Sequence, residues 1–351
     1  MMTASCRASS ECLVVRLEDL VAADGPFATV ALSSPSDVED AAARFEIGWK
    51  NARRALGDAG LPEEDVAAID ARLTSLDHPA SAGIVVVRAV GGPLLVEQLS
   101  DPTARDLVVV DNLPRLGPIL EDRQRAVAHV VVEIDRAGAA LTSFDAGGDV
   151  TSDVVDGNRL HIHRGHPGGW SQRRFQQRAE NRWESNAGDV ATVTVAAAER
   201  VGADVIAVAG DVRAVGFLLD QLPSHLQDIT VVLDAGSPDG IAAETVRVVA
   251  DIAARRTRDL LNVLRTQHAA GAGCAGLEAT LTALAEGRVE TLLVHDDVDD
   301  ERRATLARGG ETVDGRLVDV AIHAALSTDA AVHMIPPVGD VTDGLGAILR
   351  W

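Results

Sequence analysis

The sequence predicts an α/β protein in three sections, and three observations predict it. Strand-length apolar runs recur at 27–32, 83–90, 126–135, 205–209, 229–233 and 291–294, separated by stretches with helical periodicity. The chain has 351 residues, more than one hydrophobic core usually serves, so two or three domains are expected. Its residues are 46% apolar and 24% charged, the composition of an ordered globular chain.

In the first section, 1–125, a strand is expected over 27–32 and a helix over 37–56. Ser36 is placed to cap that helix, and Glu39 completes a capping box. Its acids come early and its Arg and Lys late, which suits the helix dipole. A second helix follows over 62–73, then strands over 83–90, 94–98 and 107–110. The segment 113–119, broken by Pro114 and Pro118, reads as a connector. In the second section, 126–236, two β-rich runs (126–135 and 139–144) are joined by Arg136-Ala137-Gly138 and closed by Gly147-Gly148. A basic loop (164–172) and a helix come next, then strands over 205–209 and 229–233. Strands separated by helices argue for a central α/β layer with at least partly parallel pairing. The third section, 237–351, has a long helix over 242–269 and a Gly/Ala break through Cys274. A helix over 277–285, a strand over 291–294, a helix over 317–326 and a last apolar stretch to Trp351 complete it.

Several function classes drop out. No apolar run approaches the ~20 residues that cross a bilayer. The patch Leu13-Val14-Val15, between Cys12 and Arg16, does not read as a signal peptide. Cys6, Cys12 and Cys274 cannot build a disulfide framework, and Cys274 reads as structural, so a reducing cytoplasm is the expected location. There is no P-loop, and Gly344-Leu345-Gly346 lacks the helix and acid of a dinucleotide fingerprint. No cofactor is expected. The net charge of −21 argues against DNA and membrane surfaces as partners of the chain as a whole. The acidic run 296–301, beside Arg302-Arg303, reads as a solvated loop, with docking of a basic partner as the alternative.

One window reverses that charge. Between Arg159 and Glu184 six arginines and three histidines stand against two glutamates, a local +4 that leaves −25 on the rest of the −21 chain. The window contains HIHRGHPGGWSQRRFQQRAENRW over 161–183. Pro167-Gly168-Gly169 is a breaker whose glycines let backbone N–H groups approach a ligand. Ser171 is expected to cap the following helix and so present its positive end at the glycine loop. On that helix Arg174, Arg178 and Arg182 share a face by their spacing of four, beside an apolar face of Phe175, Ala179 and Trp183. Such an arginine ridge suits a phosphate backbone, although a solvated amphipathic surface helix would carry the same pattern.

These residues resemble the bacterial branch of the archaeo-eukaryotic release factor-like, Pelota-related family. In that branch a glycine loop precedes a helix beginning S-Q-R-R-F, as Ser171-Gln172-Arg173-Arg174-Phe175 does here. Two further stretches match in the right order. Ala283-Leu284-Ala285-Glu286-Gly287-Arg288-Val289-Glu290-Thr291-Leu292-Leu293 resembles the "helix, E-G-R-V, strand" element of the family's third domain. Gly344-Leu345-Gly346-Ala347-Ile348-Leu349-Arg350-Trp351 resembles its closing glycine-rich signature. The likeness covers roughly 126–351; the first section has no matching motif.

The resemblance implies a C-terminal α/β/α domain of the ribosomal protein L30e-like type. The sequence departs from the family where release factors carry Gly-Gly-Gln: here the tip is Gly168-Gly169-Trp170. An indole has one N–H donor and no acceptor, so it cannot orient a hydrolytic water as an amide does. It can stack on an unpaired base. Within that family the sequence resembles the hibernation factors typified by Balon and its mycobacterial counterparts. That likeness implies binding to 23S and 16S rRNA in the vacant ribosomal A site, without catalysis, under stress, and elongation factor Tu as a candidate partner. The RNA contacts it implies are Arg164, His166, Pro167, Gly168, Gly169, Trp170, Ser171, Gln172, Arg173, Arg174, Arg178 and Arg182.

Two other readings stay open on sequence alone. Gln172, two residues beyond the tip, could support cleavage of tRNA or peptidyl-tRNA, as in an enzyme that rescues stalled ribosomes. That requires a rearranged loop, because two residues turn a side chain about 200° round a helix. His161, His163 and His166 have H-x-H-x-x-H spacing, which could gather zinc for a hydrolase if further ligands arrived from elsewhere. In the metallo-β-lactamase type of motif an Asp precedes the last His; Gly165 stands there, and no metal is expected.

Overall fold

The computed structural model describes residues 15–33, 41–76, 82–103, 105–156, 169–339 and 341–351; for 41–42 and 169–183 it describes the backbone alone. The chain forms two compact units, Met1–Asp122 with Leu260–Trp351, and Arg123–Asp259.

The first unit opens with α1 (Leu17–Val21), β1 (Phe27–Ser33), α2 (Ala41–Asp58) and α3 (Glu63–Thr74). The strands β2 (Gly83–Ala89), β3 (Leu94–Leu99) and β4 (Leu107–Asp111) and the helix α4 (Gly117–Arg125) follow. The sheet runs β3-β2-β1-β4, antiparallel throughout, with Val30 opposite both Val86 and Val108. The strand β1 is apolar on both faces because both are covered. Ala28, Val30 and Leu32 pack with Leu56 and Ile69 of α2 and α3, while Phe27 and Ala31 enter a second core. Ser36 and Glu39, the expected capping pair of α2, lie outside the described residues. The expected connector 113–119 ends in α4, whose first residue, Gly117, has no room for a Cβ beside the carboxylate of Asp296.

The second unit is one five-stranded sheet with helices on both faces. Its elements begin with β5 (His129–Ile134), β6 (Gly138–Phe144), β7 (Val150–Asp156), α5 (Gly169–Val201) and β8 (Val205–Gly210). Then come α6 (Val212–Gln221), α7 (Ser224–Gln227), β9 (Thr230–Val232) and α8 (Pro238–Ala269), the last of which belongs to this unit as far as Asp259. The order is β7-β6-β5-β8-β9, with β5, β8 and β9 parallel and β5, β6 and β7 an antiparallel meander. Val130, Val132, Ile134 and Leu141 pack under Val190 and Ala197 of α5 and Leu218 of α6. On the opposite face Ala207 and Ala209 meet Leu233 and Ile241. Gly210, at φ +138°, could not be another residue, since a Cβ would strike the carbonyl of Ile134.

The chain then completes the first unit. It adds β10 (Cys274–Ala275), α9 (Leu277–Ala285), β11 (Val289–Val294), the hairpin β12 (Arg303–Arg308) and β13 (Glu311–Arg316), α10 (Leu317–Leu326), β14 (Ala331–Met334) and β15 (Leu345–Leu349). The sheet β10-β15-β11-β14 pairs β11 parallel to β14 and antiparallel to β15. Leu292, Val294 and Ala347 face Leu284 and Val320 of α9 and α10, and on the other face Leu293 and Ile348 meet Leu261 and Leu264 of α8. Helix, sheet and helix are therefore layered. The core under α9 and α10 is continuous with Phe27, Ala31, Val85 and Val87 of the first sheet, so the beginning and end of the chain share one hydrophobic interior.

That shared interior also holds charge. Arg316, 1% exposed, reaches the Asp296 carboxylate at 2.5 Å and the carbonyls of Asp300 and Asp297 at 2.6 and 2.7 Å. Arg115 binds both carboxylate oxygens of Glu301 at 3.0 Å. The run 296–301 is thus partly structural: Asp296 turns inward to Arg316, while Glu301 stays exposed and accepts the Arg115 guanidinium at the surface.

Candidate nucleic-acid interface

The described helix α5 runs unbroken for 33 residues from Gly169. Gly169 and Trp170 already have helical backbone, and Ser171 lies within the first turn rather than at the cap. The expected start is corrected by three residues, from the position after Ser171 to Gly169: nothing from Trp170 onward breaks a helix. Arg164, His166, Pro167 and Gly168 lie outside the described residues, as do His161 and His163. For Gly169, Trp170, Ser171, Gln172, Arg173, Arg174, Arg178 and Arg182 the description is that of backbone position.

Backbone position already carries information. Four-residue steps advance 400°, so positions 170, 174, 178 and 182 drift only about 40° per step along one side of the helix. The N-terminal end of α5, and with it the positive end of the helix dipole, falls at Gly169-Trp170-Ser171.

The other half of α5 is firmly held. Val190, Ala191, Ala197 and Ala198 are buried against the sheet. Asn186 donates to the carbonyl of Arg136 at 3.2 Å, and Gln221 of α6 donates to the carbonyl of Glu184 at 2.8 Å. Arg200 pairs with Asp153 of β7 at 2.8 Å. These contacts anchor the segment from Glu184 to Arg200, and the backbone of α5 runs on from it, without a break, to Gly169. Among the described residues no cluster of His, Cys, Asp or Glu could hold a metal ion, and no helix is long and apolar enough to cross a membrane. Burial holds the His129 imidazole below its ordinary pKa; it stacks on Phe144, 4.3 Å between ring centres. Burial likewise raises the Cys274 thiol, which suits a structural cysteine rather than a nucleophile.

The sequence reading did not find β7, the strand that leads toward this segment. Its alternation (Val150, Ser152, Val154 against Thr151, Asp153, Val155) was the available signal, masked by three polar residues and an exposed edge position.

Fold and site together define an α/β protein whose central sheet carries one long helix with an arginine-rich beginning. Residues 128–270, from the first central strand to the end of α8, match the model of bacterial archaeo-eukaryotic release factor family 2. The central segment is therefore release factor-like. Over nearly its whole length the chain is similar to the uncharacterized protein Rv2629 of Mycobacterium tuberculosis (strain ATCC 25618 / H37Rv), at 27% identity over 365 aligned positions and 96% of each chain. Among solved structures it is similar to Dom34 of S. cerevisiae, a translation termination-like factor that interacts with Hbs1, at 10% identity and a TM-score of 0.41 over 74% of this chain and 73% of that one. Archaeoglobus fulgidus Pelota is similar at 16% identity and a TM-score of 0.35, over 77% and 79% of the two chains.

Proposed function

We propose that the chain is a cytoplasmic ribosome hibernation factor. It occupies the vacant A site, places the start of α5 and the preceding glycine loop at the peptidyl transferase centre, and does not hydrolyse peptidyl-tRNA. The observation that carries this reading is the match of residues 128–270 to a release factor family model. Trp170 supports the absence of hydrolysis, since its indole lacks the acceptor that a glutamine offers to water. The local positive charge at the start of α5, in a chain of net −21, supports RNA as the target of that end alone. The layered C-terminal sheet would serve as an L30e-like domain, and elongation factor Tu as the carrier that delivers the factor.

The test is sedimentation of ribosomes from growing and starved cells, with the purified protein added to vacant and to A-site-filled ribosomes. The expected result is enrichment in starved-cell ribosomes, binding to vacant particles only, and no release of labelled peptide from stalled complexes. Peptide release or cleavage of the tRNA end would instead make the chain a rescue enzyme, with Gln172 as the first residue to substitute.

A further inference from the structure

The five-stranded sheet of the second unit leaves part of one face open. In register, Ala209, Glu133, Ala140 and Val154 form a row across β8, β5, β6 and β7. Beside that row Gly138 stands opposite Asp156, and Asp135 donates its backbone N–H to the Gly138 carbonyl at 2.9 Å. Ile241 of α8 closes the Ala209 end. Over β6 and β7 the described residues provide no cover: Ala140 is exposed, and Val154 is 73% exposed. The small residues make this stretch a depression of about 390 Å³. It lies along β7, an edge strand with β6 as its neighbour in the sheet.

The rim is anionic and uncompensated. Among the described residues Glu133 and Asp156 have neither an ion pair nor a side-chain hydrogen bond. Asp135 uses one carboxylate oxygen on the N–H groups of Ala137 and Gly138, at 2.6 and 2.9 Å. Arg136, next in sequence, is turned to Asp211 at 2.9 Å. A purely apolar occupant would strip water from these carboxylates without pairing them, which is costly. Nucleic acid would be repelled, and a second copy of the chain would bring the same −21 charge. A long cationic side chain satisfies both halves of the site, with its methylenes on Ala140 and Val154 and its charge at the carboxylates.

We infer that this depression docks an extended, arginine-bearing segment of a partner protein, laid along β7 with a guanidinium between Glu133 and Asp156. Among the described residues the outer edge of β7 has no strand beside it; that edge would supply backbone hydrogen bonds, and alternate side chains would meet the depression. This surface lies on described residues and does not depend on ribosome binding.

The experiment uses the full chain and a fluorescein-labelled hexapeptide of alternating valine and arginine, read by anisotropy at low ionic strength. Saturable binding is expected, weakened at least tenfold by Glu133→Gln with Asp156→Asn, and weakened also by Val154→Ser. Glu63→Gln with Glu64→Gln on α3 removes the same charge elsewhere and should leave binding unchanged. Circular dichroism melting of each variant separates lost binding from lost fold. Equal weakening by both double variants would reduce the effect to diffuse charge attraction and overturn the inference. So would absence of saturable binding, preference for a valine–glutamate peptide, or a dimer in sedimentation that Val154→Ser dissolves. Ribosome pelleting plays no part in this assay, so its failure and that of the hibernation reading are distinguishable.

Discussion

Arg115, in the connector that leaves the first sheet, lies 3.8 Å from the carboxylate of Asp319 on α10, and both side chains are buried. The contact joins residues more than 200 positions apart and belongs to a chain of charge. Arg316 approaches the other oxygen of Asp319 at 3.5 Å and binds Asp296, while Arg115 holds Glu301. The beginning and end of the chain thus share a buried ionic network as well as a hydrophobic core. Such networks are strongly destabilised when one partner is removed, because the remaining charges stay buried.

Arg316→Ala is the sharpest test of that network. It strands Asp296 and Asp319 and frees two backbone carbonyls, and should cost about 3–5 kcal/mol of stability. Arg302→Ala, which removes a half-exposed partner of Asp300, should cost under about 1 kcal/mol. Urea denaturation of the two variants, followed by circular dichroism, checks the ratio. Equal small losses would mean that the buried cluster contributes nothing beyond a surface pair.

Asp319 gives the network a pH dependence. Burial pushes its carboxyl up to about 7; Arg316 and Arg115 pull it down and Asp296 and Asp111 push it further up. An unfolded aspartate titrates near 3.9, so between about pH 4 and 7 the native state holds one more proton than the unfolded state. Stability from this group is therefore greatest at the acid end of that window and falls as pH rises through it, by at most about 4 kcal/mol. Asp319→Asn mimics the protonated form at every pH. Relative to wild type, the Asn variant should gain stability from pH 5 to about 7 and level off above it; a pH-independent difference would show that Asp319 is ionised throughout.

Much of this fold is legible in the sequence, and the illegible parts have common causes. Strands buried on both faces, such as β1 and β8, read as continuous apolar runs, and α3, α9 and α10 follow their periodicity. The hairpin β12–β13 escaped notice because its residues are mostly exposed and polar, although Gly309-Gly310, both at positive φ, marked its turn. The sharing of one core by the first and last sections could not be read at all. Nothing local tells Phe27 and Ala31 that their core continues into that of α9 and α10, or Arg115 that its acid lies beyond residue 300. Of the candidate site, the arginine spacing falls on continuous helix, and the helix start moved to Gly169 because the expected cap, Ser171, is not needed to begin it.

Trp170 carries the prediction that separates stacking from charge. If it stacks on an unpaired base, Trp170→Ala should weaken ribosome binding by about 1–3 kcal/mol, since base–aromatic stacking is of that size. The salt dependence should not change, because no phosphate contact is lost. Binding to vacant ribosomes measured at several salt concentrations checks both parts. A changed slope with unchanged affinity would assign the residue no stacking role.

Arg174 and Arg178 make the complementary case. Six arginines on phosphates would give a logarithmic salt slope of roughly −4, taking about 0.7 per contact as for single strands. Arg174→Ala with Arg178→Ala removes two of them, so the slope should shallow by about 1.4. The loss of affinity should be largest at low salt and shrink as salt rises. Neither residue lies in the segment from Glu184 to Arg200 that anchors α5, so thermal unfolding should shift little. Co-sedimentation with ribosomes at several salt concentrations, beside a melting curve, gives both readouts. Unchanged co-sedimentation would remove this helix from the interface, whereas a collapsed melting temperature would assign these arginines to the fold instead of to RNA.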